Sequence, residues 1–414
     1  MQQTHNPRTR PVARSQRRST SAARALWVIV HRWAGLTLTL FLIICGLTGS
    51  LLAFYEELHG ATASWTRVQP PTPDAQILDP YYLIAAAEQA APEAEFSRLE
   101  LHTTPGKALV FFPAPRPGET LNYDELALNP YTGEEVYRGS WGVLSEGVHQ
   151  LMPFIFGLHY TVALGDAGRL MLGVAALVWT LDCFIGFYLT LPATRRNWFH
   201  RWRRAWRFRK PTAHGYRFNF SLHRAGGLWL WPILFVFAWS SVGFNLTEVY
   251  DPVMRALGGS DVFAELPDKQ GPTGLEHDWP AKLAQARALA AAHGKQHNFT
   301  VIAENGLTYR SNSDTYEYRF QTSLDLPTTR PQSRLFFDRI SGEFIAYKSG
   351  AGDLSADGLD EWFVALHIAS IGGLAYRLFV TALGVAISVL AITGVVIWMR
   401  KRSARLLRSG LHCR

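Results

Sequence analysis

Four of the 14 histidines recur at fixed spacing. His31 opens HRWAGLTLTLFLIICGLTGSLLAFY, and His223 opens HRAGGLWLWPILFVFAWSSVGFNL. His31, Arg32, Gly35 and Leu36 return as His223, Arg224, Gly227 and Leu228, each 192 positions later. His159, Gly165, Arg169 and Gly186 return as His367, Gly373, Arg377 and Gly394, each 208 positions later. Imidazoles that come in matched pairs suit a metal centre taking one axial ligand from each side. A planar cofactor with two axial nitrogens, bis-histidine haem in a four-helix bundle, is the natural candidate. Two pairs imply two haems at different depths, which is a path for electrons.

One such histidine is ordinarily an interfacial residue satisfied by water or lipid; four in two matched pairs argue for a site. A zinc or copper centre is the other reading, but the inner pair is expected to have no Cys, Asp or Glu beside it, and two imidazoles make a poor zinc cage. The arginines fit haem. Arg32 and Arg224 follow the inner histidines, and Arg169 and Arg377 lie ten residues beyond the outer ones. Guanidinium pairs well with carboxylates, and haem carries two propionates. Anchoring by positive charge explains Arg32 and Arg224 equally well. Arg169 and Arg377 lie where that rule predicts no arginine, so a carboxylate partner is expected for them. Gly35, Gly46, Gly49, Gly173, Gly227 and Gly243 allow either close helix approach or room for a cofactor. His59 and His149 have no counterpart and read as interfacial; His200 and His214 read as water-facing.

These residues need helices that cross a membrane. The chain has 414 residues, is 48% hydrophobic and has only 18% charged residues. The apolar runs are long enough to span a bilayer, which takes about 20 residues. The formal charge of +8 is concentrated at both termini and in 192–218, which has no acid at all. The positive-inside rule puts these segments in the cytoplasm and the two long loops outside. The basic, aromatic stretch NWFHRWRRAWRFRK is read in this way and not as a nucleic-acid site. The first apolar run is too long for a signal-peptide core and reads as a retained anchor. Cys45 and Cys183 lie in apolar runs and Cys413 in the tail, so no disulfide framework is expected.

The expected order is a basic tail without fixed structure at 1–25, span 1 at 26–58, and an outer α+β domain at 59–145. An outer helical piece plus span 2 follows at 146–191, hinged at Gly165–Arg169. A basic loop occupies 192–218, span 3 runs over 219–249, and a second outer α+β domain over 250–358. Span 4 is one helix at 359–399, and a basic tail closes the chain at 400–414. Thr132-Gly133-Glu134 recurs as Ser341-Gly342-Glu343, 209 positions later. The whole reads as a tandem duplication, two spans per half, with a pseudo-twofold axis along the membrane normal. No GxGxxG after a strand, P-loop, GxSxG or HExxH is present. No cytoplasmic segment is large enough for a flavin reductase, so electrons are expected from a quinol or a separate protein.

The chain resembles the PepSY-associated transmembrane helix family, in particular the inner-membrane siderophore reductases of the FoxB type. The resemblance is carried by the His31–Leu36 opening, GLTGSLLAFYEEL, LHYTVALGDAGR, SLHRAGGLW, ALHIASIGGLAYR, NPYTGEEVY and DRISGEFIAY, and it covers about residues 25–400. It implies four spans, two periplasmic PepSY-like domains, two haem b groups held by His31, His223, His159 and His367, and transfer of electrons to a ferric siderophore with release of Fe²⁺. Some relatives carry a fused flavoprotein domain; this chain does not. The substrate is expected between the two outer domains near the hinge, where Trp141, Tyr160 and Trp362 either pack or line a pocket. Two other functions remain open. One is a haem-free protein that anchors or inhibits a periplasmic peptidase. The other is a di-haem quinol oxidoreductase serving a protein partner.

Overall fold

The computed structural model describes residues 12–211, 215–329 and 333–410, so His214 and Cys413 lie outside the described residues. In chain order the helices are α1 (Val12–Leu52), α2 (Tyr55–Thr62), α3 (Pro80–Ala90), α4 (Leu151–Thr161), α5 (Gly165–Thr190), α6 (Trp198–Arg203), α7 (Tyr216–Asn245), α8 (Thr247–Ala256), α9 (Trp279–His297), α10 (Ala356–His367) and α11 (Gly373–Gly410). The strands are β1 (Ala94–Glu95), β2 (Arg98–Glu100), β3 (Leu109–Phe111), β4 (Ala114–Pro115), β5 (Glu125–Leu128), β6 (Glu135–Gly139), β7 (Val301–Arg310), β8 (Thr315–Thr322), β9 (Ser333–Asp338) and β10 (Phe344–Lys348). Among the described residues, four helices are long and apolar enough to cross a membrane: Ala22–Leu52 of α1, α5, α7, and Gly373–Leu407 of α11. The chain divides into two compact units.

The first unit holds the main lengths of α1, α5, α7 and α11. Polar and small residues tie these helices into a closed ring. His31 of α1 bonds Asp182 of α5, and the Trp231 indole of α7 donates to the Cys183 carbonyl of α5 at 2.9 Å. Asn219 of α7 donates to the Thr393 carbonyl of α11. Ser388 of α11 faces the Ile43 carbonyl of α1. A Cβ on Gly46 would lie 2.5 Å from the Gly384 carbonyl oxygen, so here glycine is required for close approach of α1 and α11.

The second unit holds both long loops and the adjoining helix ends. Its local elements follow the expected order: helix α3 and then short strands in the first loop, helix α9 and then β7 to β10 in the second. Asp79 caps α3 by accepting from the Tyr81 amide, and Asp278 caps α9 by accepting from the Ala281 amide, each followed by a proline in the first turn. The hairpins β5–β6 and β9–β10 share one turn. The Asn129 amide donates to the Glu134 carbonyl at 2.8 Å, and the Asp338 amide to the Glu343 carbonyl at 3.0 Å. Gly133 and Gly342 take φ of 78° and 70°, a conformation that costs a side-chain-bearing residue energy.

The structure corrects four expectations. The basic N-terminal segment is helical from Val12, because nothing in it breaks the helix that continues into the first span. The hinge begins ahead of the glycines and takes in the first of them: Val162, Ala163 and Gly165 have left-handed φ of 50°, 55° and 58°, and the rest of Gly165–Arg169 forms the first turn of α5. The last span is not one helix, since α10 ends at His367 and a turn with Ala369 at φ 54° and Gly372 at φ 68° separates it from α11. The two outer domains are one body. Strand β2 of the first loop pairs with β7 of the second and completes a five-stranded sheet, β10-β9-β8-β7-β2. Leu83, Leu99 and Leu126 bury in the same core as Leu283, Leu307 and Phe320. The expected cleft between two separate domains is therefore filled by shared apolar packing.

Candidate functional site: two histidine pairs

In the first unit, α1 and α7 bring His31 and His223 face to face, with ring centres 6.1 Å apart. The Nδ1–H of His31 donates to the carboxylate of Asp182, with both oxygens within reach at 2.9 and 3.0 Å. The Nδ1–H of His223 donates to the Leu390 carbonyl at 3.0 Å, with the Thr393 hydroxyl at 3.1 Å. A carboxylate and a carbonyl can only accept, so each ring keeps its lone pair on Nε2, the nitrogen a metal needs. Each ring also rests on a glycine, His31 on Gly186 of α5 and His223 on Gly394 of α11. A Cβ on Gly186 would meet His31 Cε1 at 3.4 Å, and one on Gly394 would meet His223 Cε1 at 3.3 Å. Gly186 and Gly394 recur 208 positions apart, and contact with the inner histidines is what they share.

A cavity of about 440 Å³ opens beside this pair, lined among others by His31, Arg32, Gly35, His223, Arg224 and Gly227. A Cβ on Gly35 or Gly227 would meet nothing within 4 Å, so these glycines leave room for an occupant, whereas Gly46 serves close packing. Arg32 Nε and Arg224 Nε are buried without a hydrogen-bond partner. Two cationic groups with unmet donors at one cavity suit an anionic occupant.

In the second unit His159 and His367 stand 6.3 Å apart, each in the last turn of a short helix before a left-handed break. His159 Nδ1 lies 2.9 Å from the Thr48 hydroxyl, and a Cβ on Gly49 would sit 3.0 Å from its Cε1. Helix α10, which carries His367, is tied to the sheet by Lys348 bonding Asp360 at 2.9 Å and to α8 by Tyr250 bonding Asp360 at 2.7 Å. Helix α4, which carries His159, follows Gln150, whose amide bonds the Tyr137 hydroxyl and whose carbonyl accepts from the Gly142 amide.

Both pairs have one spacing, and it has a simple meaning. A metal–imidazole bond is about 2.0 Å and the ring centre lies about 1 Å behind the nitrogen, so two imidazoles on opposite sides of one ion hold their centres about 6 Å apart. Together with the tied Nδ1 atoms, the glycine cradle and the unmet arginine donors, this fits haem at the inner pair. At the outer pair the ring spacing and the glycine packing fit it equally. Among the described residues, no group of three or more His, Cys, Asp or Glu could hold a bare metal ion.

Other expected residues lie elsewhere. Arg377 donates to Glu57 at 2.5 Å and to the Ala53 carbonyl at 2.6 Å, and exposed Arg169 pairs with Asp166 at 3.5 Å. Both arginines are expected at haem propionates; here each pairs with a carboxylate of the chain itself. The inner pair does have an acid beside it, contrary to expectation. Asp182 is the one carboxylate within the apolar part of the four spans, and a lone intramembrane acid is a signal that could have found it. His59 and His149 lie in an aromatic cluster with Trp65 and Tyr137, where burial pulls the His59 imidazole below its usual pKa. Trp362 donates to the Gly352 carbonyl, Trp141 packs edge-on against Phe156, and Tyr160 borders the same ring.

No curated protein matches the chain. A family model described as the PepSY-associated TM region matches residues 28–401, a range that takes in the four paired histidines, all of α5 and α7 and most of the other two membrane helices. By that match the protein belongs to the PepSY-associated TM family.

Proposed function

We propose that this membrane protein is a di-haem oxidoreductase that carries electrons outward and reduces ferric siderophores on the periplasmic side of a bacterial inner membrane. The observation that carries the reading is the common spacing of the two histidine pairs, 6.1 and 6.3 Å between ring centres. Bound there, haem b would supply a one-electron couple between ferric and ferrous iron. His31 and His223 would hold the inner group and His159 and His367 the outer one. Arg32 and Arg224 would meet the propionates of the inner group. The matched spacing of the two halves is read as a tandem duplication, with both termini and the basic loop in the cytoplasm by the positive-inside rule.

The acceptor follows from coordination chemistry. Hard oxygen ligands of a siderophore hold Fe³⁺ strongly and Fe²⁺ weakly, so one electron per complex releases Fe²⁺ and the chelator. The donor is a quinol, which gives two electrons and two protons and so serves two ferric complexes, or a reduced protein. The test is a dithionite-reduced minus oxidised spectrum with a pyridine haemochrome assay, followed by a panel of ferric siderophores with a ferrous chelator. Two haems per chain and chelator-trapped Fe²⁺ are expected. His159→Ala and His367→Ala should each remove one haem and leave the other. A chain without haem, or one that keeps both haems in these variants, would sink the proposal.

A further inference from the structure

The two halves repeat the histidine, arginine and glycine positions of the inner pair and differ in what accepts from each Nδ1. Position 182 on α5 corresponds to position 390 on α11, by the same spacing of 208 that relates Gly186 to Gly394. Both positions serve the Nδ1–H of the inner histidine beside them. At 390 the backbone carbonyl of Leu390 accepts from His223, and at 182 the side-chain carboxylate of Asp182 accepts from His31. The carbonyl is neutral and the carboxylate is an anion. At the outer pair His159 Nδ1 faces the hydroxyl of Thr48, again neutral. The Asp182 side chain is about 10% exposed, so its charge acts through a poorly screened medium.

We infer that Asp182 is a positioning residue that lowers the reduction potential of the inner haem site relative to the outer one and so directs electrons outward. The inference rests on the di-haem reading. An imidazole whose Nδ1–H donates to a carboxylate has a more basic Nε2 and gives more electron density to a metal bound there. Ferric iron, with one more positive charge than ferrous, gains more from that density and from the nearby anion. The inner site therefore releases its electron more readily. Arg32 and Arg224 border the same cavity and act in the opposite sense, but they are unchanged when position 182 alone is altered. Asp182 thus gives one histidine of the pair an anionic partner where the other has neutral ones.

The test is a spectroelectrochemical titration of the purified, haem-loaded full chain and of Asp182→Asn, with haem content measured in both. In Asp182→Asn the lower-potential wave should rise by at least tenfold in its one-electron equilibrium constant, about 59 mV. The higher wave should stay in place, and the low-spin EPR signal of one haem only should change its g anisotropy. Thr48→Val should leave the lower wave where it is. If Asp182→Asn sheds a haem, Asp182→Glu and Asp182→Gln are compared instead, and a lower wave in Glu than in Gln supports the inference. Two retained haems with an unmoved lower wave, or equal waves in Glu and Gln, would overturn it. A wild-type chain that binds no haem would instead sink the di-haem reading itself, which keeps the two failures apart.

Discussion

Filling the cavity beside His31 and His223 separates a cofactor site from an incidental void. Gly35 and Gly227 both line it, and a Cβ at either would meet nothing within 4 Å. Leucine at either position adds a side chain of about 100 Å³ to a space of about 440 Å³. At roughly 24 cal/mol per Å³ of cavity filled, each leucine would recover about 2 kcal/mol if the space holds nothing. Replacing a mid-helix glycine adds up to about 1 kcal/mol of helix propensity. Gly35→Leu and Gly227→Leu should therefore leave the haem-free chain as stable as wild type or more so, by thermal unfolding in detergent. On the di-haem proposal each variant as purified should carry one haem instead of two, and the remaining one should be that of His159 and His367. The sharper form combines Gly35→Leu with His367→Ala, which should leave no haem. A Gly35→Leu, Gly227→Leu double variant that keeps two haems would show that the cavity is not the haem site and would refute the reasoning.

Other consequences are equally direct. Arg32→Ala with Arg224→Ala should keep the fold and speed loss of the inner haem to apomyoglobin, because two unmet donors leave the cavity. Glu125, buried with Oε2 unpartnered, has its pKa pushed up to about 7 by burial. The native state holds its proton longer than the unfolded chain, so stability falls as pH rises from about 4.5 to about 7; Glu125→Gln should flatten that fall and stabilise the chain at pH 8 by about 1–3 kcal/mol. Asp338 is the opposite case, with amides of Ser341 and Ile340 and the ammonium of Lys269 holding its carboxyl down to about 2. Its contribution is present above about pH 4 and is lost as pH falls through about 2, and Asp338→Asn should remove about 1 kcal/mol at pH 7 but only a small part of that at pH 2, by chemical denaturation.

Sequence and tertiary structure settle different things here. Chain-local signals carried the elements: apolar length for the four spans, proline after aspartate for the starts of α3 and α9, and Thr-Gly-Glu and Ser-Gly-Glu for the hairpin turns. The recurrence of His31 as His223 and of His159 as His367 carried the pairing, because repeated spacing puts like residues at like heights on successive helices. What the sequence could not carry is anything that depends on a partner distant in the chain. That Leu99 joins the sheet of Leu307, making one outer body of two loops, depends on a strand pairing across about 200 residues that no local pattern encodes. The breaks after His159 and His367 use glycines that the sequence offers, Gly165, Gly372 and Gly373, but also left-handed Val162, Ala163 and Ala369, residue types that rarely take that conformation, so the surrounding packing must hold these three there. The glycines look alike in sequence; the structure alone separates Gly46, pressed on a carbonyl, from Gly35 and Gly227, which face open space. Asp182 was legible as an acid in an apolar run, but its meaning came only with the fold, which sets its carboxylate on one histidine and a plain backbone carbonyl on the other.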